Sequence, residues 1–256
     1  MIRSFDSYLQ DWWDYTLEID TDRGPIKIHW SNANNLARWS NMQAGLYLQD
    51  TNSLQTFYEN FPNWYQKFWN SRFDQGLFDL ADNSIIMDIG CGVSVIDLLL
   101  SKYLPNSKFY LLDKEGFSFQ PNVYYDYNYP EYHSWDPVVD AINTTKLDPR
   151  RFRMISPKDE WPKKVDVITS YFSYCWHYPK EVYWKQVLRT LKIGGKLILD
   201  IRHLIDRDIV KEITEDMKSE PVVSYFDTKL PAHIDNMPAP KKGEPLGGRY
   251  CWTRKD

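Results

Sequence analysis

The sequence predicts an α/β fold built on a doubly wound, mostly parallel sheet, and three observations carry that prediction. From residue 84 onward, short apolar runs of strand length recur, and segments of helix length separate most of them. Such alternation builds a parallel sheet with helices on both faces. The first run leads at once into a glycine turn, Gly90-Cys91-Gly92, and then into a helix-length segment. Residues 1–80 follow a different pattern, so the chain divides into an α+β appendage over 1–80 and a sheet domain over 81–256.

The appendage comes first. YTLEID (15–20) and PIKIHW (25–30) alternate apolar and polar side chains around the turn-forming TDRG, which predicts a hairpin. Leu54, Phe57, Phe61, Tyr65 and Phe68 then fall on one helical face, with Pro62 marking a kink or a junction of two helices. In the sheet domain the predicted strands are SIIMDI (84–89), KFYLLD (108–113), RFRMIS (151–156), VDVITS (165–170) and KLILDI (196–201). Helices are expected over 93–104, 137–146 and 179–191, the last with Tyr183, Trp184, Val187, Leu188 and Leu191 on one face. VVSYFD (222–227) and RYCWTRK (249–255) add two strands around a loop rich in proline and glycine. Loops of that length in compact domains are often lids or binding segments. The aromatic stretch 114–136 and the loop 228–248 are therefore expected to wall the site.

Composition narrows the function classes. With 43% hydrophobic and 26% charged residues, the 256-residue chain is no disordered polymer, and it is long enough to bury a core without disulfides or a structural metal. Thirty-one basic residues against 35 acidic ones give a net charge of −4, so no global basic field is present and no nucleic-acid partner is expected, with only a local basic patch left open. Cys91, Cys175 and Cys251 lie far apart without CxxC spacing, which argues against a zinc knuckle or a redox dithiol. MIRSFDSYLQDWWDY lacks the apolar core and cleavage site of a signal peptide, and the apolar-leaning stretch Val167–Pro179 is too short to span a bilayer. The expectation is a cytoplasmic protein without a membrane partner. Aromatic residues make up 16% of the chain and crowd into 1–70 and 117–136; they serve a core or, alternatively, a stacking surface for a planar or sugar-like ligand.

The most informative segment is Asp88-Ile89-Gly90-Cys91-Gly92-Val93-Ser94. Glycines at a strand-to-helix turn let the backbone approach a ligand closely, beside the free N–H groups of the helix start. Asp113 ends the next strand 21 residues after Gly92, where an acid of a doubly wound fold accepts hydrogen bonds from ribose hydroxyls. A dinucleotide fingerprint needs a further glycine at position 95, and this chain has Val95. Asp88, two residues before the first glycine, is a poor neighbour for a pyrophosphate. A cationic ligand without phosphate suits it better. S-adenosylmethionine carries a sulfonium and an ammonium and no phosphate, so charge favours it over NAD.

DIGCGVS resembles the first motif of class I S-adenosylmethionine-dependent methyltransferases. LLD ending at Asp113 is similar to that family's ribose-binding acid, VDVITSYFSYCWHYP to its fourth-strand segment, and LKIGGKLILDI (191–201) to the turn entering its fifth strand. The likeness covers roughly residues 80–205, with Ser94 in place of a third glycine and Ile193 in place of the usual proline. It implies a Rossmann-like seven-stranded sheet whose last strand is antiparallel, and S-adenosylmethionine as cofactor. Carried over residue by residue, it places Asp88, Gly90, Cys91, Gly92 and Asp113 at the cofactor, with Ser170 at the end of the fourth strand. After the third strand, ISPKDEW offers Ser156, Asp159 or Glu160 to the adenine.

Methyl transfer is an in-line displacement that asks mainly for proximity and orientation, but a hydroxyl acceptor must also lose a proton to a base. Open α/β sheets bind ligands beyond the carboxyl ends of their strands. That rule selects His177, after the fourth strand, as the first choice of base and His203, after the fifth, as the second. His29 is expected on a strand surface, and His133 and His233 in loops. No metal motif is present; Asp166 or Asp200 could be recruited by a metal, although Asp166 better suits orienting its own strand. SYCWHYPKEVYW and LILDIRH are similar to segments of sugar O-methyltransferases, which implies a small-molecule methyl acceptor; the alternatives are a protein or nucleic-acid acceptor, or a non-catalytic binding module that keeps the cofactor pocket. The N-methylating tetrad of nucleic-acid enzymes is absent; TSYF stands in its place.

Overall fold

A computed structural model describes residues 14–33, 36, 54–73, 80–113, 116–118, 131–171, 173–175, 179–202, 208–225 and 247–256. The apolar runs become strands β3 (Ile85–Ile89), β4 (Lys108–Leu112), β7 (Phe152–Ile155), β8 (Val165–Ser170), β9 (Leu191–Arg202), β10 (Val222–Tyr225) and β11 (Gly247–Thr253). They form one seven-stranded sheet in the order β10-β11-β9-β8-β3-β4-β7. Strands β3, β4, β7, β8 and β9 are parallel, and β11 lies antiparallel between β9 and β10. From β3 the chain moves outward through β4 to β7, then returns to β8 on the other side of β3. The order therefore reverses beside β3, and the crevice of a doubly wound sheet opens at such a reversal. This is the sheet of the class I methyltransferase fold, with the antiparallel strand where the resemblance put it.

The two faces of the sheet separate by the period-2 alternation of each strand. Ile86, Phe109, Leu111, Val167, Ile198 and Cys251 face one core. Met87, Ile89, Leu112, Ile168, Leu197, Leu199, Tyr250 and Trp252 face the other. Helices α4 (Trp184–Thr190) and α5 (Ile209–Met217) contribute to the second core. Helices α2 (Val95–Tyr103) and α3 (Asp136–Thr144) contribute to the first, together with α1 (Leu54–Phe73) and the hairpin of β1 (Tyr15–Ile19) and β2 (Ile26–Trp30).

The hairpin forms as expected, with Leu17, Ile19, Ile26, Ile28 and Trp30 buried. It is fastened to α3 by bonds from the Trp30 indole N–H to the Pro137 carbonyl (2.9 Å) and from the Ser31 hydroxyl to Asp140 (2.6 Å). At its turn, Arg23 donates to the Tyr103 carbonyl at the end of α2 and lies 4.1 Å over the Tyr103 ring. The appendage and the sheet domain thus share one hydrophobic core. Helix α1 runs through Pro62 as a single element, burying Phe61, Tyr65, Phe68 and Trp69 and leaving Trp64 49% exposed.

Three features differ from the sequence expectation. Within 114–136, β5 (Gly116–Ser118) and β6 (Glu131–His133) pair as a small antiparallel hairpin. Strand β9 begins already at Leu191, because Leu191 pairs with Val165 across an irregularity before the regular ladder resumes at Val167. The helix expected over 179–191 is a 3-10 turn, Lys180–Val182, followed by α4. Lys180 is buried there and ion-paired to Glu212 and Asp216 of α5.

Candidate functional site

The glycine turn follows β3 at the reversal of strand order. Gly90 (φ +72°) and Gly92 (φ +54°) both occupy the left-handed region, which a side chain would strain, and Ser94 (φ +52°) shares it just before α2. The turn is fastened to β4: Gly90 and Cys91 both donate their N–H groups to the Leu112 carbonyl, at 2.7 and 3.2 Å. Asp113, the next residue after β4, accepts the Gly92 N–H at 2.7 Å through Oδ2. Glycine turn and downstream acid are one hydrogen-bonded unit.

Acidic side chains surround this turn. Asp88, buried at the end of β3, accepts a 3.0 Å hydrogen bond from the Thr169 hydroxyl of β8. Asp97, on the first turn of α2, is also buried. Burial, and after it the carboxylates of Asp113, Asp88 and Asp97, hold the Cys91 thiol well above the ordinary thiol range, with a hydrogen bond to Ser94 opposing. Three carboxylates therefore converge on the residue between the two glycines.

The other expected residues lie along the same carboxyl edge. Ser156 follows β7, in a turn where its N–H donates to Asp159 (2.6 Å); the preceding Ile155 carbonyl accepts the Asp113 N–H. Ser170 ends β8 and is fully buried. Its hydroxyl donates to the Ile89 carbonyl (2.6 Å) and accepts the Tyr174 N–H (2.8 Å), so it locks the loop after β8 against β3. His177 and His203 lie outside the described residues, as does His233. His29 sits in β2, its Nδ1 3.0 Å from the Thr16 hydroxyl and 3.3 Å from Asp14, on the hairpin surface as expected. Asp166 is at the opposite, amino end of the sheet, where it accepts the Ile85 N–H and pairs with Lys192.

Sequence reasoning missed what the edge does at β9 and β11. Arg249 donates through Nε (2.7 Å) and a terminal nitrogen (2.9 Å) to the two oxygens of Asp200, and both residues are buried. The Arg249 guanidinium also lies 4.3 Å over the Phe68 ring of α1 and 4.9 Å over the Tyr171 ring. Tyr171 and Phe68 meet edge to face at 5.0 Å. Asp200 is thereby committed to Arg249 rather than open to a metal, and α1 is bound to the carboxyl edge. Among the described residues, no cluster of three or more His, Cys, Asp or Glu side chains could hold a metal ion. Nor is any described helix long and apolar enough to cross a membrane.

No protein-family model matches the sequence, and no curated protein matches it. Solved structures do match. A precorrin-6y C5,15-methyltransferase from Geobacter metallireducens is 17% identical over 73% of this chain and 89% of its own, with a TM-score of 0.46. TYW2 of M. jannaschii, solved in complex with AdoMet, is 15% identical over 74% of this chain and 77% of its own, with a TM-score of 0.44. An rRNA methylase from Streptococcus thermophilus is 11% identical over 73% of this chain and 95% of its own, with a TM-score of 0.44. The fold assignment rests on the strand order and directions given above. One expectation is corrected: nucleic acid is not excluded as a partner, because a chain named as an rRNA methylase is among the structural neighbours. Net charge describes the whole surface, whereas a nucleic acid needs only a local groove of basic side chains.

Proposed function

We propose that the protein is a methyltransferase and that its cofactor is S-adenosylmethionine. The observation that carries this reading is the convergence of Asp88, Asp97 and Asp113 on a glycine turn whose Gly92 amide is held by Asp113. Gly92 leaves the backbone bare between turn and helix, Asp113 is proposed to take the ribose hydroxyls, and carboxylates around the turn suit a sulfonium and an ammonium. Bound S-adenosylmethionine supplies an electrophilic methyl group. The chain's own task is to orient that group beyond the carboxyl ends of β3 and β8 and to exclude water there.

For the acceptor we propose a hydroxyl of a sugar or related small molecule. The aromatic content of the chain, 16% and concentrated in 1–70 and 117–136, supports this, since C–H faces of sugars stack on such rings. A hydroxyl needs a base, and His177 is proposed for it, with His203 second, both by their places after β8 and β9. The segments 114–136 and 228–248, most of which lie outside the described residues, are proposed as walls of the acceptor site, with residues 1–80 as its cap.

The test is calorimetric titration with S-adenosylmethionine and with NADH, followed by assay of S-adenosylhomocysteine release with sugars, nucleotide sugars, small aromatics and RNA. Binding of NADH without S-adenosylmethionine refutes the cofactor; turnover on RNA alone replaces the acceptor. With a hydroxyl acceptor, His177→Ala is expected to lower kcat by about two to four orders of magnitude at nearly unchanged cofactor affinity.

A further inference from the structure

The amino edge of the sheet, opposite the glycine turn, carries charge of the other sign. Lys108 opens β4, Lys164 immediately precedes β8, and Lys192 lies at the start of β9. Lys146 leads from α3 toward β7, and Lys218 from α5 toward β10. Lys255 follows β11, whose antiparallel course ends at this edge, and its N–H donates to the Met217 carbonyl (3.0 Å) beside Lys218. Six of the seven strands therefore bring a lysine to one edge. Lys192 is paired with Asp166. The other five are exposed, and among the described residues no hydrogen bond or ion pair engages their side chains. Nearby acids are largely engaged: Asp148 with Arg150, Asp82 with Asn106 and Asp22 with the Tyr103 hydroxyl. Glu215, Glu220 and Asp256 stand at the β10–β11 end.

Three of these lysines stand where the backbone favours glycine. Lys146 (φ +56°), Lys164 (φ +62°) and Lys218 (φ +54°) are in the left-handed region, which glycine occupies without steric cost. With no described partner for any of the three side chains, what lysine adds there is an exposed charge. Neighbouring strands lie about 4.8 Å apart, so the row runs about 29 Å from β10 to β7. A small anion needs charges that converge on one point, and these are spread one per strand. A bilayer needs apolar side chains along the whole contact, whereas the exposed Ile193 (60%) and Val222 (56%) both lie at the β9–β10 end. A linear polyanion fits the row. We propose that the amino edge holds the phosphate backbone of a nucleic acid, by charge and without reading its bases. The edge lies about a strand length, roughly 20 Å, from the glycine turn, so it is an anchor separate from the methyl-acceptor site.

The experiment follows the anisotropy of a fluorescein-labelled single-stranded RNA as the full chain is titrated at rising salt. With three to five phosphates neutralised, log Kd should rise with log salt at a slope of about 2–4. The test variant combines Lys146→Gly, Lys164→Gly and Lys218→Gly, which removes three charges at positions that glycine suits, so it should melt no lower than the wild type. It is expected to lower the slope by about 2 and to weaken binding about tenfold or more at about 0.1 M salt. The control combines Lys158→Ala, Lys185→Ala and Lys211→Ala, three exposed lysines after β7 and on the first turns of α4 and α5, away from this edge. It loses the same charge and should stay within about twofold of the wild type. Equal losses in the two variants would mean that net charge and not this edge binds RNA, and would overturn the proposal. So would a wild type that binds no RNA at low salt. Binding to phosphatidylserine vesicles without binding to RNA would make the edge a membrane surface, and the proposal would fall.

Discussion

Replacing Gly90 by alanine tests the turn most directly. Two penalties are readable from the geometry. At φ +72° an L-residue pays roughly 1–2 kcal/mol for the left-handed backbone. The new Cβ would also fall 1.8 Å from Ser173 Oγ, and overpacking of this kind costs roughly 1–3 kcal/mol. Neither side can retreat without loss, because Gly90 and Cys91 are bonded to Leu112 and Tyr174 is bonded to Ser170. The expected destabilisation is about 2–5 kcal/mol. For a chain of this size a middle value of about 3 kcal/mol lowers Tm by roughly 6–12 °C. The assay is thermal and urea unfolding of Gly90→Ala, Ser173→Gly and the double variant. In the double variant the overlap is gone and the backbone penalty remains, so about 1–3 kcal/mol should return. A double variant no more stable than Gly90→Ala alone refutes the overlap argument; a Gly90→Ala protein as stable as the wild type refutes the whole account.

Two further outcomes follow from buried charge and from buried thiols and phenols. Asp200→Ala strands the Arg249 guanidinium beneath Phe68 and Tyr171, which should cost about 3–5 kcal/mol in urea unfolding, while Asp200→Leu combined with Arg249→Met should recover most of it. If the single variant unfolds like the wild type, the pair is not the anchor of α1. In alkali, burial pushes the Cys251 thiol up to about 11 from 9.0, against a smaller opposite effect of Lys196. Burial also raises the phenols of Tyr15, Tyr65 and Tyr174. Protonated groups that the folded state favours give full stability below their unfolded pKa and lose it as pH rises toward the folded value. Stability should therefore hold to about pH 9 and decline toward pH 11; a stability curve flat across that window contradicts the burial of these groups.

What the sequence made legible was local. Strands announced themselves because β3, β4, β8 and β9 are apolar on both faces, and the hairpin because one face of β1 and β2 is buried and the other wet. The glycine turn and Asp113 were legible together because their spacing belongs to a known strand-turn-helix-strand unit. Helix α5 carried a usable signal in Ile209, Ile213 and Met217, four residues apart and all buried. Strands β5 and β6 carried none, since GFS and EYH have no alternation long enough to read. The partnerships at the carboxyl edge were out of reach for a different reason. Asp200 and Arg249 are 49 residues apart. Ser173 fills the space at Gly90 across 83 residues (173 minus 90). Only the crossing of β8 beside β3 brings the latter two together, and no window of sequence contains both.

The docking of the first hairpin on α3 also sets an order of events at the ribosome. Trp30 bonds a carbonyl 107 residues downstream, and the His29 N–H bonds the Thr145 hydroxyl 116 residues downstream. At roughly 5–20 residues per second, the hairpin waits on the order of 5–20 s before these partners are synthesised. Throughout that interval Leu17, Ile19, Ile28 and Trp30, all fully covered in the finished molecule, have only nearby chain to lie against. The hairpin therefore reaches its place only after residues 137–145 have emerged, and its apolar face stays without those partners until then.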